Sequence, residues 1–130
     1  MNIYLAAPYA HKMHMREIRL ELQAAGHTVT SSWLDGPWES DHELFDRVQA
    51  ACAVQDTRDI DASDIVVLFP AHGGSGCYDE FGYARGRGKQ RIVVGDRTNI
   101  FQYMHDVAHV ADVDDLLAYL CGAGIQEQTA

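Results

Sequence analysis

Short β-branched runs and longer amphipathic runs take turns along the chain, and this alternation predicts most of its elements. Asn2 to Ala6 (Asn-Ile-Tyr-Leu-Ala) opens as a strand ended by Ala7-Pro8. From about Lys12 to Ala25 the period is helical: Ile18, Leu22 and Ala25 share a stripe, Arg16, Glu17, Arg19 and Glu21 lie mostly outside it, and Gly26 is a natural stop. His27 to Trp33 reads as a second strand by β-branched content, and Leu34 to Ser40, with Gly36, Pro37 and Trp38, as a loop. Asp41 begins a long helix reaching Ala62, with Leu44, Val48, Cys52 and Ile60 recurring in steps of four or eight. Ile65 to Phe69 is a third strand, free of charge and apolar throughout, as expected of a strand buried on both faces. A helix over Tyr78 to Arg87, a strand over Arg91 to Val94, a helical turn over Asn99 to Met104, a strand over Ala108 to Ala111 and a helix over Val113 to Cys121 follow. Gly122 to Ala130 reads as a frayed tail.

Strands alternating with helices predict a parallel sheet covered on both faces. Right-handed crossovers leave few topologies for five such units, so the expected fold is a flavodoxin-like (Rossmann-like) α/β three-layer sandwich on a five-stranded, mainly parallel sheet. Residues 1–130 read as one domain, without repeats or low-complexity tracts. The formal net charge of -9 argues against nucleic acid polymers and anionic membranes as partners, though not against a single nucleotide. No stretch is apolar enough to span a bilayer, and the first residues carry no basic-then-apolar leader. Three cysteines without CxxC spacing and seven scattered histidines without an HExxH pattern suit a reducing cytoplasm better than a disulfide framework or a metal site.

Against this background a few residues stand out. Glu80 sits just past the glycine-rich turn His72-Gly73-Gly74-Ser75-Gly76, directly after the third strand, in the first turn of a helix. That is the carboxyl end of a parallel sheet, where open α/β folds bind ligands, and the helix dipole favours an ionised acid there. Asp56 continues the line Leu44, Val48, Cys52 and Ile60, so on an unbroken helix it points inward and needs donors or a task. Tyr4 lies inside the first strand, whose carboxyl end belongs beside that of the third. Taken singly, each has a plain structural alternative. Glu80 also fits a solvated helix-terminal acid, Tyr4 a core aromatic, and the glycine turn mere punctuation. Asp56 also fits a helix that rotates or frays into the acidic, soluble end Asp56, Asp59, Asp61 and Asp64. Trp33 and Trp38 suit either stacking on a planar base or packing, Cys77 reads as a small packing residue, and His11, Lys12 and Arg16 read as ordinary helix-start polar groups.

Together these segments resemble the nucleoside 2-deoxyribosyltransferase family and its relatives that hydrolyse 2'-deoxynucleoside 5'-monophosphates. The likeness runs from Ile3 to about Asp115. Ile3-Tyr4-Leu5-Ala6-Ala7-Pro8 is similar to the family's first strand, whose tyrosine contacts the catalytic acid. Asp56, eight residues before Asp64, matches the aspartate that orients and protonates the base. Asp79-Glu80-Phe81-Gly82-Tyr83-Ala84 followed by Gly88-Lys89 resembles the nucleophile helix, with Glu80 as nucleophile. Thr98-Asn99-Ile100-Phe101 resembles the segment that a neighbouring subunit lends to the site.

The resemblance implies an enzyme that cleaves the N-glycosidic bond of a 2'-deoxynucleoside through a glutamyl-deoxyribose ester and transfers the sugar to another base. Its catalytic residues would be Glu80, Asp56 and Tyr4, with substrate contacts from Ala6, Pro8, Gly74, Ser75, Gly76, Asn99 and Phe101. It implies no metal or organic cofactor, small-molecule nucleosides or nucleotides and nucleobases as partners, and a homodimer or higher homo-oligomer with shared sites. The alternatives are a 2'-deoxynucleoside 5'-monophosphate N-glycosidase with water as acceptor, and a non-catalytic nucleotide-binding module. The chain departs from the pattern six residues before Glu80. There the transferases carry an acid for the sugar 5'-hydroxyl and the hydrolases a serine for phosphate; here Gly74 stands, with Ser75 beside it. The arginine that the hydrolases place six residues after the strand tyrosine is Ala10.

Overall fold

The computed structural model describes residues 1–36, 42–70 and 75–129, with the side chains of 42–45 and 123–129 left aside. Among these residues five strands form one sheet: β1 (Asn2–Ala6), β2 (Thr28–Val29), β3 (Ile65–Leu68), β4 (Gln90–Val94) and β5 (Val107–Val110). All four pairings are parallel, and the order β2-β1-β3-β4-β5 is that of a flavodoxin-like sheet. The helices are α1 (Lys12–Ala24), α2 (His42–Asp61), α3 (Gly76–Gly86) and α4 (Val113–Thr129).

Strand alternation splits the core in two. Ile3, Leu5, Ile65, Val67 and Ile92 face a layer holding Met15, Ile18 and Leu22 of α1 and Leu116 and Leu120 of α4. Tyr4, Ala6, Val66, Leu68 and Val93 face the other layer, with Ile60 of α2 and Cys77, Phe81 and Ala84 of α3. Tyr4 is thus aimed at the layer of the two helices that carry Asp56 and Glu80. Beyond the last turns of α1 and α3, Gly26 (φ 94°) and Gly88 (φ 70°) take the left-handed conformation that ends a helix without a Cβ clash.

Three elements differ from the sequence expectation. The second strand is a two-residue ladder rather than a run to Trp33, because side chains take over the backbone groups that would extend it. Ser31 Oγ accepts the Leu5 N–H (2.6 Å), and Asp59 accepts the Ser32 N–H (3.0 Å), so the chain turns into a 3-10 segment at Ser32–Asp35. On α2 the predicted inward line holds only at its end. Ile60 is buried, but Cys52 and Val54 are exposed and Asp56 is half-buried, because this helix meets the rest of the molecule through α3 and the loop after β2. The last helix continues to Thr129, eight residues past Cys121, through a stretch containing good helix formers such as Ala123, Gln126 and Glu127.

The carboxyl ends of β1 and β3 are joined in register, Ala6 opposite Leu68, and the Phe69 N–H donates to the Ala6 carbonyl (2.8 Å). The opposite end of α2 is tied down by Asp61. Its carboxylate accepts from Tyr83 Oη (3.0 Å) and Arg87 Nε (2.8 Å), and its backbone carbonyl accepts from Lys89 Nζ (2.9 Å). These bonds hold α2 against α3 and bring the two acid-bearing helices side by side.

Candidate active site

Glu80 lies on α3 between the buried positions Cys77, Phe81 and Ala84, which turns its carboxylate partly into the α2–α3 layer. Tyr4 is 0% exposed on the facing strand. Its hydroxyl favours the ionised form of Glu80, yet the contact falls short of a complete hydrogen bond. Tyr4 Oη and Glu80 Oε2 are both buried with no hydrogen-bond partner among the described residues. A buried hydroxyl left in this state costs about 1–3 kcal/mol, so packing alone would be served better by phenylalanine at position 4.

The electrostatics bind the three groups together. Burial pushes the Glu80 carboxyl up to about 8; the Tyr4 hydroxyl opposes this, while the charges of Asp56 and Asp79 add to it. Burial, then the charge of Asp59, pushes Asp56 up to about 6. Tyr4 is held far above the ordinary phenol value, by burial first and then by Glu80 and Asp56, so it stays protonated as a donor. Two carboxyls that each resist ionisation titrate as a pair, and around neutrality the pair retains a proton. Such an arrangement supplies one acid and one base that act on each other.

The remaining sequence candidates divide. Ala6 and Pro8 are buried, and their carbonyls accept the Phe69 and His11 N–H groups (2.8 and 2.9 Å). Ser75 and Gly76 are exposed at the start of α3; Ser75 makes no side-chain cap, and a Cβ on Gly76 would meet only open space. Gly74 and Trp38 lie outside the described residues. Asn99 and Phe101 do not join the acids within one chain. They line a cavity of about 370 Å³ on the outer side of α3, with Tyr78, Asp79, Arg85 and Arg91, and its lining includes none of Tyr4, Asp56 and Glu80. Asn99 Oδ1 accepts the Phe101 N–H (3.0 Å), capping the 3-10 turn Ile100–Tyr103. Lys12 and Arg16 are engaged by the loop after β2. Lys12 Nζ donates to the Gly36 carbonyl and Arg16 Nε to the Leu34 carbonyl (2.6 Å).

Two charged residues escaped the sequence reading. Asp59, assigned there to a solvated acidic end, is 8% exposed. The signal was available: Asp56, Asp59, Ile60 and Ser63 share one helical face, and Ile60 and Ser63 are both buried. Arg91 is 3% exposed, paired with Asp106 and stacked on Phe81 (5.5 Å), with Nε and Nη1 lacking partners among the described residues. Its place two residues before the inward Val93 marks it as inward too. No cluster of histidine, cysteine and acidic side chains suited to a metal occurs among the described residues, and none of their helices is long and apolar enough to cross a membrane.

This is an α/β sandwich whose paired acids sit at the carboxyl edge of a parallel sheet, and two solved structures share its fold. One is the CMP N-glycosidase BcmB of Clostridium botulinum, with a TM-score of 0.65 at 20% identity over 92% of this chain and 98% of that one. The other is a 2-deoxyribosyltransferase of the psychrotolerant bacterium Bacillus psychrosaccharolyticus, with a TM-score of 0.65 at 20% identity over 90% of each chain. Both neighbours belong to the nucleoside 2-deoxyribosyltransferase family whose motifs the sequence resembles. At this identity the likeness establishes the fold. No protein-family model matches the sequence, and no curated protein matches it significantly.

Proposed function

We propose that the protein cleaves the N-glycosidic bond of a 2'-deoxynucleoside and transfers the sugar to another base. The carrying observation is the convergence of Tyr4, Asp56 and Glu80, each perturbing the next, in one layer at the carboxyl end of β1 and β3. In this reading the proton that the pair retains passes from Glu80 to Asp56 when substrate binds; a Glu80 oxygen then attacks C1' as the C1'–N bond breaks, and the departing base takes that proton from Asp56. A second base then attacks C1' from the side it vacated, gives its proton to Asp56, and releases the Glu80 carboxylate. The two inversions give net retention, as in a retaining glycosidase. Tyr4 holds Glu80 in its attacking rotamer and offsets part of the rise that burial imposes on it. The shared fold supports the reading, since one neighbour is a 2-deoxyribosyltransferase.

The second reading, hydrolysis of a nucleoside monophosphate, is favoured by the other neighbour, which acts on CMP, and by the exposed Ser75 at the start of α3. Against it, Lys12 and Arg16, the cations that follow β1, are spent on loop carbonyls rather than left for a phosphate. Assembly belongs to the same proposal: a second copy lends Asn99 and Phe101 to the pocket. The exposed row Ile100, Phe101 and Tyr103 supports this, Phe101 being 53% exposed. A cytoplasmic setting is in keeping with the absence of a disulfide among Cys52, Cys77 and Cys121.

The test is incubation with a deoxynucleoside, and separately with its monophosphate, with and without an acceptor base. Base exchange selects transfer; free sugar or sugar phosphate selects hydrolysis. Absence of both, from a folded oligomer, refutes the enzyme reading. Light scattering alongside the assay is expected to find a homodimer or larger species, and a fully active monomer would refute the shared site.

A further inference from the structure

Residues 30–36, which follow β2, are anchored from three sides. Asp59 of α2 holds their first half. Asp59 Oδ2 accepts from the Ser32 N–H (3.0 Å) and from Ser32 Oγ (2.5 Å), and its backbone carbonyl accepts from Thr30 Oγ1 (2.9 Å). Gln55 Nε2, one turn earlier on the same helix, donates to Asp59 Oδ1 (2.9 Å). From β1, the Leu5 carbonyl accepts from Trp33 Nε1 (2.9 Å), and from α1, Arg19 forms a two-pronged ion pair with Asp35 (2.7 and 3.0 Å).

What these bonds hold in place is Trp33. The indole packs against both core layers, including the one that holds Tyr4, and its ring lies 6.2 Å from that of Tyr9. Trp33 and Tyr9 therefore make an aromatic edge at the carboxyl end of β1. Asp59 is one helical turn from Asp56, whose carboxyl its charge perturbs, and it binds Ser32, the residue before Trp33. A buried carboxylate satisfied by neutral donors is also an unusual choice for a mere clamp. No cation among the described residues pairs with Asp59.

We propose that Asp59 is a positioning residue of this site: it locks the Trp33 loop onto the Asp56 turn of α2, so that the surface a planar base rests on and the acid that protonates it are held at one spacing. This rests on the function proposed above. The charge of Asp59 has a second consequence. The titratable groups that bear on one another here are Tyr4 from β1, Cys77, Asp79 and Glu80 from α3, and Asp56 and Asp59 from α2. Within that set the Asp59 anion opposes ionisation of Asp56 and keeps it a proton donor at higher pH than burial alone would.

Two variants of the full-length protein separate the clamp from the charge. Asp59→Asn removes the charge but retains an acceptor for Ser32, and Gln55 can turn its amide to match. Ser32→Ala keeps the charge and loses one anchor. In Asp59→Asn the carboxyl titration of Asp56, followed by carbon NMR, is expected to move to lower pH, and the alkaline limb of kcat to move with it. In Ser32→Ala that midpoint stays put, the assigned Trp33 indole resonance shifts or broadens, and KM rises about threefold to tenfold, the worth of one net hydrogen bond. An Asp56 midpoint unmoved in folded Asp59→Asn, or a Trp33 resonance unmoved in Ser32→Ala, overturns the proposal. The NMR readouts need no turnover. If they move as expected while no glycosidic bond is cut, the positioning role stands and the proposed reaction falls.

Discussion

Two charged groups are buried on opposite sides of α3, and they are buried in opposite ways. On the inner side Glu80 has acids for neighbours, Asp56 and Asp79, and a phenol that only partly offsets them. On the flank towards β4 Arg91 has a counter-charge in Asp106, whose side chain is 67% exposed, and an aromatic ring in Phe81. A helix that merely covered a sheet would need neither. Burial among like charges raises the energy of the ionised acid and makes its proton available for exchange near neutrality, which is useful for chemistry and costly for stability. Burial beside a counter-charge offsets the cost of desolvating the cation, and here it leaves Nε and Nη1 buried without partners among the described residues.

The largest effect expected from breaking this contrast is at Glu80. Glu80→Gln should lower turnover by roughly 10³-fold or more, because the nucleophile is lost with the shape of the side chain kept. Stopped assays with and without acceptor base would measure it. Next, Asp56→Asn should lower turnover by about 10²-fold, most for bases that leave poorly unless protonated, as comparison of a weakly and a strongly basic leaving group would reveal.

The same Glu80→Gln variant should gain stability, and the sign follows from the raised carboxyl. Glu80 ionises near 8 in the fold against an ordinary 4.5, so stability is fullest below the ordinary value and falls as pH rises through that window. The loss is on the order of 3–5 kcal/mol at its limit. Glu80→Gln escapes it, so thermal unfolding of the two proteins should nearly coincide at pH 4 and diverge steadily up to pH 9, with the variant the more stable. Smallest is the effect of Arg91→Met on the single chain. Asp106 stays solvated when its partner goes, so the change should lie within about 1 kcal/mol. Chemical denaturation of the two proteins would measure it.

Much of the architecture was readable in the sequence because the strands are short, β-branched and free of Gly and Pro, and the strand–helix alternation admits one common topology. The charge-free Ile65-Val66-Val67-Leu68 is buried on both faces as its composition requires. The end of β2 was not readable, since it depends on Ser31 and Asp59 reaching across 26 and 27 residues to occupy backbone groups. No local pattern carries that information. Strand alternation and the place after β3 led to Tyr4 and Glu80 as candidates, whereas Asp56 was reached along a helical line that holds only at Ile60. Asp59 was missed because a run of four acids within nine residues reads as solvated, and only the helical face that Asp59 shares with Ile60 distinguishes it from Asp61 and Asp64. For Asn99 and Phe101, the segment was visible but its destination was not, because one chain does not bring it to the acids.

The account stands or falls on a covalent bond between Glu80 and a sugar. Intact-mass spectrometry of the protein quenched in acid during incubation with a deoxynucleoside measures it directly. A fraction heavier by one deoxyribosyl unit, localised to the peptide containing Glu80 and abolished in Glu80→Gln, is the predicted result. Steady base exchange with no such species, together with wild-type rates in Glu80→Gln, would contradict it.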